Sequence, residues 1–181
     1  MDIISHALWS AALFKSINLK LKKKKEKFNL WWAAFWGMFP DIFAFVIPGI
    51  ILFPIILSQT GFNLASAIST AQASPYSDII AILYSISHSL VIFALVFLLI
   101  WFIFKKPIWL MFGWLLHILI DIPTHTAGHF TTPILWPVSN FSINGLIYWR
   151  EPAFMIMDIV LLIAVYWIIL KKEKKLKNKR R

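Results

Sequence analysis

Residues Ile79 to Phe104, IIAILYSISHSLVIFALVFLLIWFIF, contain no charged side chain and a single histidine, His88. A helix needs roughly 20 mostly apolar residues to cross the hydrocarbon core of a bilayer, so this stretch decides the fold class. Outward from it lie further apolar runs: Ile108 to Ile120, polar only at His117, and Phe154 to Leu170, with one acid, Asp158. The chain is 60% hydrophobic with a mean hydropathy of +0.74, against about 45–50% apolar residues in a soluble domain. A core of 181 residues has no room for this many Phe, Trp, Ile and Leu side chains. The expectation is an all-α integral membrane bundle.

The net charge of +10 suggests nucleic acid until its distribution is read. Residues 20–27 hold six Lys and one Glu, and residues 171–181 hold eight Lys or Arg and one Glu. The rest has four basic residues (Lys15, Lys105, Lys106, Arg150) against six acids, so the hydrophobic body is slightly acidic. Basic blocks beside spanning helices mark the cytoplasmic face and touch anionic lipid headgroups. No nucleic-acid partner is expected. There is no Cys, which excludes disulfides and thiolate metal sites. Met1-Asp2-Ile3-Ile4 lacks the basic start of a signal peptide and is expected to remain in the mature chain.

Five helical segments follow: 3–17, 28–57, 79–104, 108–126 and 153–170, forming one transmembrane domain, 1–170, ahead of a basic cytoplasmic tail, 171–181. Gly37, Pro40, Pro48, Gly49 and Pro54 interrupt the second segment. Segment 58–78 is small and polar and reads as an external loop, as does the Pro/Trp/Asn-rich 127–152. With the N-terminus outside, the 18–27 loop, the 105–107 turn and the tail all fall inside. Arg150 is the one Lys or Arg left on the outer side. Multi-pass insertion in a prokaryotic inner membrane is the expected location.

The functional signal lies in polar residues at membrane depth, which face the bundle interior, pair with one another or bind something. On the fourth segment His117, Asp121, His125 and His129 recur every four residues, so the first three form a stripe on one helix face. Two imidazoles around a carboxylate match the nitrogen and oxygen ligands of Zn, Mn or Fe. Interhelical hydrogen bonding is an equal alternative for this stripe. By helical rise, His88 and His117 each lie roughly 14 Å into their segments, near mid-membrane. Asp41 is also near the middle, and His6 is near the outer end of the first segment. All are therefore expected to meet in the outer half of the bundle.

The set Ser5-His6, Phe39-Pro40-Asp41, His88-Ser89, Gly113 to Thr124 (GWLLHILIDIPT) and Pro133-Ile134-Leu135-Trp136-Pro137 resembles the YdjM-like family of inner-membrane metal-dependent hydrolases. A more distant likeness is to zinc-dependent phospholipase C, which has similar P-D and H-x-x-x-D elements. The family resemblance implies that His6, Asp41, His88, His117 and Asp121 are metal-site positions. Two features depart from the pattern: Phe43 stands where many members have a second acid, and Tyr84-Ser85-Ile86-Ser87 lacks a further histidine found there.

The chemistry the resemblance implies is hydrolysis of a phosphoester or other ester, a lipid among the candidate substrates, by water activated on a divalent metal, Zn first and Mn or Fe next. His88, His117 and Asp121 are the expected core ligands. His6 and Asp41 are further ligands or orienting partners, and His125 is a ligand or general acid. Asp158 is expected to bond within the bundle, and Glu151 to pair with Arg150 or cap the helix near Pro152. Trp136 and Trp149 fit an interfacial aromatic belt. A non-catalytic scaffold and a metal-ion or proton transporter are the rival classes.

Overall fold

The structure, a computed structural model, describes residues 1–72, 76–127 and 131–179. Asp2 caps helix α1 (Ile3–Lys20), its carboxylate accepting the backbone N–H groups of Ile4 and Ser5. A short 3-10 turn, Lys24–Glu26, lies in the basic loop. Asn29 caps α2 (Leu30–Asp41) in the same way as Asp2, through Trp31 and Trp32. A π-helical turn, Ile42–Val46, joins α2 directly to α3 (Ile47–Gln59). Then come α4 (Leu64–Ala71), α5 (Tyr76–Ser87), α6 (Leu90–Phe104), a 3-10 turn (Trp109–Met111), α7 (Phe112–Thr124) and α8 (Pro152–Lys179). The one β feature among the described residues is an isolated bridge, Thr132 to Ile143.

Four boundaries differ from the sequence reading. Residues 30–59 form one continuous helical rod rather than an interrupted stretch. Pro40, Pro48 and Pro54 all fall within this rod, and it carries them without ending. The π turn takes up the irregularity just after Pro40-Asp41. Conversely, the uniform run 79–104 is two helices, bent by 59° at His88-Ser89. The 58–78 segment contains α4, capped by Asn63. The basic tail continues α8 without a break to Lys179.

Leu30–Gln59 and Pro152–Asn178 are each long and apolar enough to cross a membrane, and the bent α5–α6 pair makes a third if it is one span. α7 has 13 residues, about 20 Å of helix, short of the ~30 Å hydrocarbon core. Large apolar side chains point outward along the long helices: Ile50 is 70% exposed, Phe102 71% and Ile163 65%. Lipid rather than a second protein layer is the fitting neighbour for such a band.

The bundle centres on α1, α2 and α7. Ser10 donates to the Ala33 carbonyl at 2.6 Å. A Cβ on Gly37 would lie 2.5 Å from the His6 carbonyl oxygen and 2.6 Å from Ser10 Cβ, and one on Gly113 would lie 2.5 Å from Ser10 Oγ. Small residues therefore let three backbones approach closely, as helices in lipid do. On the α6 side, Phe93, Phe97, Met111, Trp114 and Ile118 form a buried core with Trp36 and Phe39 packed on it. α8 packs against α1 through Asp158, which accepts from Ser5 Oγ at 2.7 Å and Trp9 Nε1 at 2.8 Å. Asp158 is thus a bundle-knitting residue, as expected. At the far end of the same pair, Lys15 lies 3.4 Å from Glu173. Lys27 and Lys177 line one surface cleft there, so the two basic blocks lie side by side.

Candidate metal centre

Three local devices position the polar side chains. The α5–α6 break puts His88 in a non-helical link, and its ends are sealed. Ser89 caps α6 by accepting from Val91 and Ile92 N–H and itself donates to the Trp136 carbonyl at 2.5 Å. Leu90 N–H reaches the Ile134 carbonyl at 3.0 Å. Trp114 Nε1 donates to the Ser87 carbonyl at 2.6 Å. Non-helical backbone at this depth is tolerated because protein satisfies it. The second device is α7, which sets His117 and Asp121 one turn apart. The third is the end of α2, which brings Asp41 in just before the π turn.

His117 Nδ1 lies 2.7 Å from the Gly37 carbonyl. His88 Nδ1 lies 3.1 Å from the Tyr84 carbonyl and 2.9 Å from Ser87 Oγ. A carbonyl only accepts, so each Nδ1 carries a hydrogen and, in a neutral ring, each Nε2 carries a lone pair. These two Nε2 atoms stand 3.1 Å apart. Asp121 Oδ2 is 3.1 Å from His117 Nε2 and 3.3 Å from His88 Nε2. Asp41 Oδ1 is 3.7 Å from both nitrogens.

Asp121 Oδ1 faces the other way, 2.9 Å from His6 Nε2, 2.6 Å from the Met1 ammonium and 3.4 Å from His125 Nδ1. The His6 ring stacks on His117 at 3.5 Å. Its Nε2 is close to Asp121 without the alignment of a hydrogen bond, and both its nitrogens and Asp121 Oδ2 lack hydrogen-bond partners among the described residues. His6, His88, His117 and Asp121 are buried, while Asp41 keeps 14% of its side chain exposed.

These groups could hold a divalent cation. Metal–ligand bonds of about 2.0–2.2 Å in tetrahedral geometry put neighbouring ligand atoms roughly 3.3–3.6 Å apart, and five of the six separations among His88, His117, Asp121 and Asp41 run from 3.1 to 3.7 Å. Two histidine–carboxylate triplets have ligand atoms close enough to hold an ion: His6, His117, Asp121 and Asp41, His88, His117. Unpartnered buried acceptors are costly unless a cation or proton joins them.

All six candidates named from sequence therefore come together: His6, Asp41, His88, His117 and Asp121, with His125 at the edge. His129 lies outside the described residues. Glu151 stands apart, its carbonyl accepting Met155 N–H at the start of α8. No Arg150–Glu151 ion pair forms among the described residues; Arg150 instead lies over the Trp149 ring, 4.8 Å from its centre. Two contributors escaped the sequence reading. The Gly37 carbonyl has no side chain to announce it. Tyr84, whose ring stacks on His88 at 3.8 Å, drew notice in sequence only as part of a departure from the resemblance.

A family model described as YdjM inner membrane protein matches residues 1–177. The chain belongs to the YdjM inner membrane protein family. That match takes in every residue of the YdjM cluster described above and agrees with the apolar helices in assigning the chain to a membrane. No curated protein and no solved structure matches it.

Proposed function

We propose that this chain is a membrane-bound, metal-dependent hydrolase of a phosphoester or related ester. The observation that carries the reading is the convergence of His88 Nε2, His117 Nε2, Asp121 Oδ2 and Asp41 Oδ1, with both Nδ1 atoms tied to backbone carbonyls. Imidazole and carboxylate donors with these orienting partners suit Zn, and also Mn or Fe. Such a metal supplies a Lewis acid for the ester oxygen and acidifies water near neutral pH.

The chain's own residues have distinct parts. His88, His117 and Asp121 would hold the ion, with Asp41, whose side chain is partly exposed, as a further ligand. His6 steadies Asp121. His125, 3.4 Å from Asp121, would take the proton that the attacking water gives up and pass it to the departing oxygen as the ester bond breaks and the water oxygen joins the acyl or phosphoryl centre.

The accompanying topology is five crossings with the N-terminal end outside and the C-terminal end cytoplasmic. It is supported by the adjacency of the two basic blocks and their distance from the cluster, about 21 Å along α1 from His6 to Lys20. The bilayer is then the main partner, with anionic headgroups at the basic loop and tail. A transporter is less well supported: Ser10, Gly37 and Gly113 pack tightly between the cluster and the basic end.

One observation favours a scaffold instead. Four of the polar residues are almost wholly buried and would knit helices without metal. Elemental analysis of detergent-purified wild type beside a His117→Ala/Asp121→Ala double variant decides between them. Near-stoichiometric metal that disappears in the variant, with hydrolysis of a bis(nitrophenyl) phosphate probe disappearing alongside it, is the expected result. No metal in either protein after reconstitution gives the scaffold reading first place.

A further inference from the structure

Arg150 is the one basic residue that the charge pattern leaves on the outer side, and neither the fold nor the cluster chemistry uses it. It lines a cavity of about 470 Å³ with Ile3, Phe45, Val46, Trp149 and two residues of the candidate site, Asp41 and His125. That volume lies within the usual range of small-molecule sites, roughly 300–1,000 Å³. A larger groove of about 660 Å³ lies at the basic end between α1 and α8 and is lined by no acid or imidazole.

Arg150 is held in place from the chemistry side. Gly145 N–H donates to the His125 carbonyl at 2.7 Å, Leu146 N–H to the Pro123 carbonyl at 2.8 Å and Trp149 N–H to the Thr124 carbonyl at 3.1 Å. The loop before α8 is therefore clamped to the end of α7, the helix that carries His117 and Asp121. The guanidinium packs over Trp149 and makes no ion pair among the described residues. The carboxylate of Asp2, also on the cavity wall, is engaged in capping α1. Met1, whose ammonium is engaged with Asp121, and Tyr148 complete the wall, and its apolar side at Phe45 and Val46 leads along the helix to Ile47, Ile50 and Ile51, which are exposed.

We propose that Arg150 is the anion-recognition residue of this cavity, and that the cavity takes a phosphate ester with an apolar tail. The guanidinium fork matches a non-reacting pair of phosphate oxygens. Asp41 and His125 border the rest of the headgroup, and the tail runs over Phe45 and Val46 toward lipid. This inference rests on the hydrolase reading for what happens to the ester, but the recognition is separable from it.

The test is calorimetric titration of the full chain in detergent with dihexanoyl phosphatidic acid, with metal content measured on the same samples. Wild type binds saturably; Arg150→Gln weakens binding at least ~10-fold, Arg150→Lys weakens it less, and metal content is unchanged in both. Inorganic phosphate, which lacks the tail, binds at least ~10-fold more weakly than the lipid. Unchanged affinity in Arg150→Gln overturns the assignment, as does equally tight binding of uncharged dihexanoylglycerol. Equal affinity for inorganic phosphate overturns the apolar half of the site. Metal-free wild type that binds the lipid through Arg150 keeps this inference and removes the hydrolase; metal-loaded wild type that binds no lipid does the reverse.

Discussion

His88 Nε2 and His117 Nε2 face each other at 3.1 Å, although His88 sits in the link between α5 and α6 and His117 on α7, 29 positions apart in sequence. Each ring is turned by a backbone carbonyl on its far side, Tyr84 for His88 and Gly37 for His117. Two facing lone pairs repel, and the arrangement is stable only with a proton or a cation between them. The carboxylate oxygens of Asp121 and Asp41 alongside stabilise either one.

His117→Ala removes a shared ligand of both triplets. Metal affinity should fall well beyond the ~10–100-fold typical of losing an orienting partner, while the protein still inserts in the membrane. Isothermal competition with a zinc chelator measures this. Wild-type affinity in the variant would sink the ligand assignment.

Gly37→Ala should act as an overpacking change, because its Cβ would press on the His6 backbone and Ser10. About 1–3 kcal/mol of stability is at stake. His6 and the Gly37 carbonyl would shift with it, so metal binding should weaken too. Unfolding in mixed detergent micelles, followed by Trp fluorescence, reports the first effect and metal content the second. A variant as stable as wild type contradicts the close approach of α1 and α2.

Asp158→Ala leaves the Ser5 hydroxyl and Trp9 indole without their acceptor. Interhelical hydrogen bonds in membranes average ~0.6 kcal/mol and reach ~1.7 kcal/mol, so a loss of about 1–3 kcal/mol is expected for the pair. Metal content should stay at the wild-type level, which separates this residue from Asp121. Metal loss in a folded Asp158→Ala protein would move Asp158 into the site.

The absence of cysteine makes single-Cys variants clean topological reporters. Ala65→Cys, on exposed α4, should react with an impermeant maleimide from outside intact cells. Lys175→Cys, in the basic end of α8, should react only after the membrane is opened. The reverse pattern inverts the topology and places Arg150 and its cavity on the cytoplasmic side.

Much of the cluster was legible because helical periodicity alone puts His117 and Asp121 on one face, with His125 just past the end of α7 rather than on it, and because ionisable groups are rare in apolar runs. The break at His88-Ser89 was not legible. Nothing in the hydropathy of residues 79–104 marks it, and its stability comes from Trp114, Ile134 and Trp136, which are distant in sequence. The helical tail was hidden for a different reason. Lys-rich sequence reads as solvated tail, yet Lys is a good helix former and Glu173 pairs with Lys177 one turn on at 2.8 Å.

The sequence by itself determined the solvent and the inventory: apolar runs that demand a bilayer, basic ends that mark one face, and five ionisable residues too costly to leave unpaired there. Only the tertiary structure decided which atoms meet. Asp41 and His117 come from two helices and His88 from the link between two others, and their convergence depends on close packing at Ser10, Gly37 and Gly113 and on a bend sealed by a remote loop. Such contacts are set by shape and long-range hydrogen bonds, which no local pattern encodes. The same holds for Arg150, which in sequence is a stray charge and in the fold stands at the wall of the cavity that reaches Asp41.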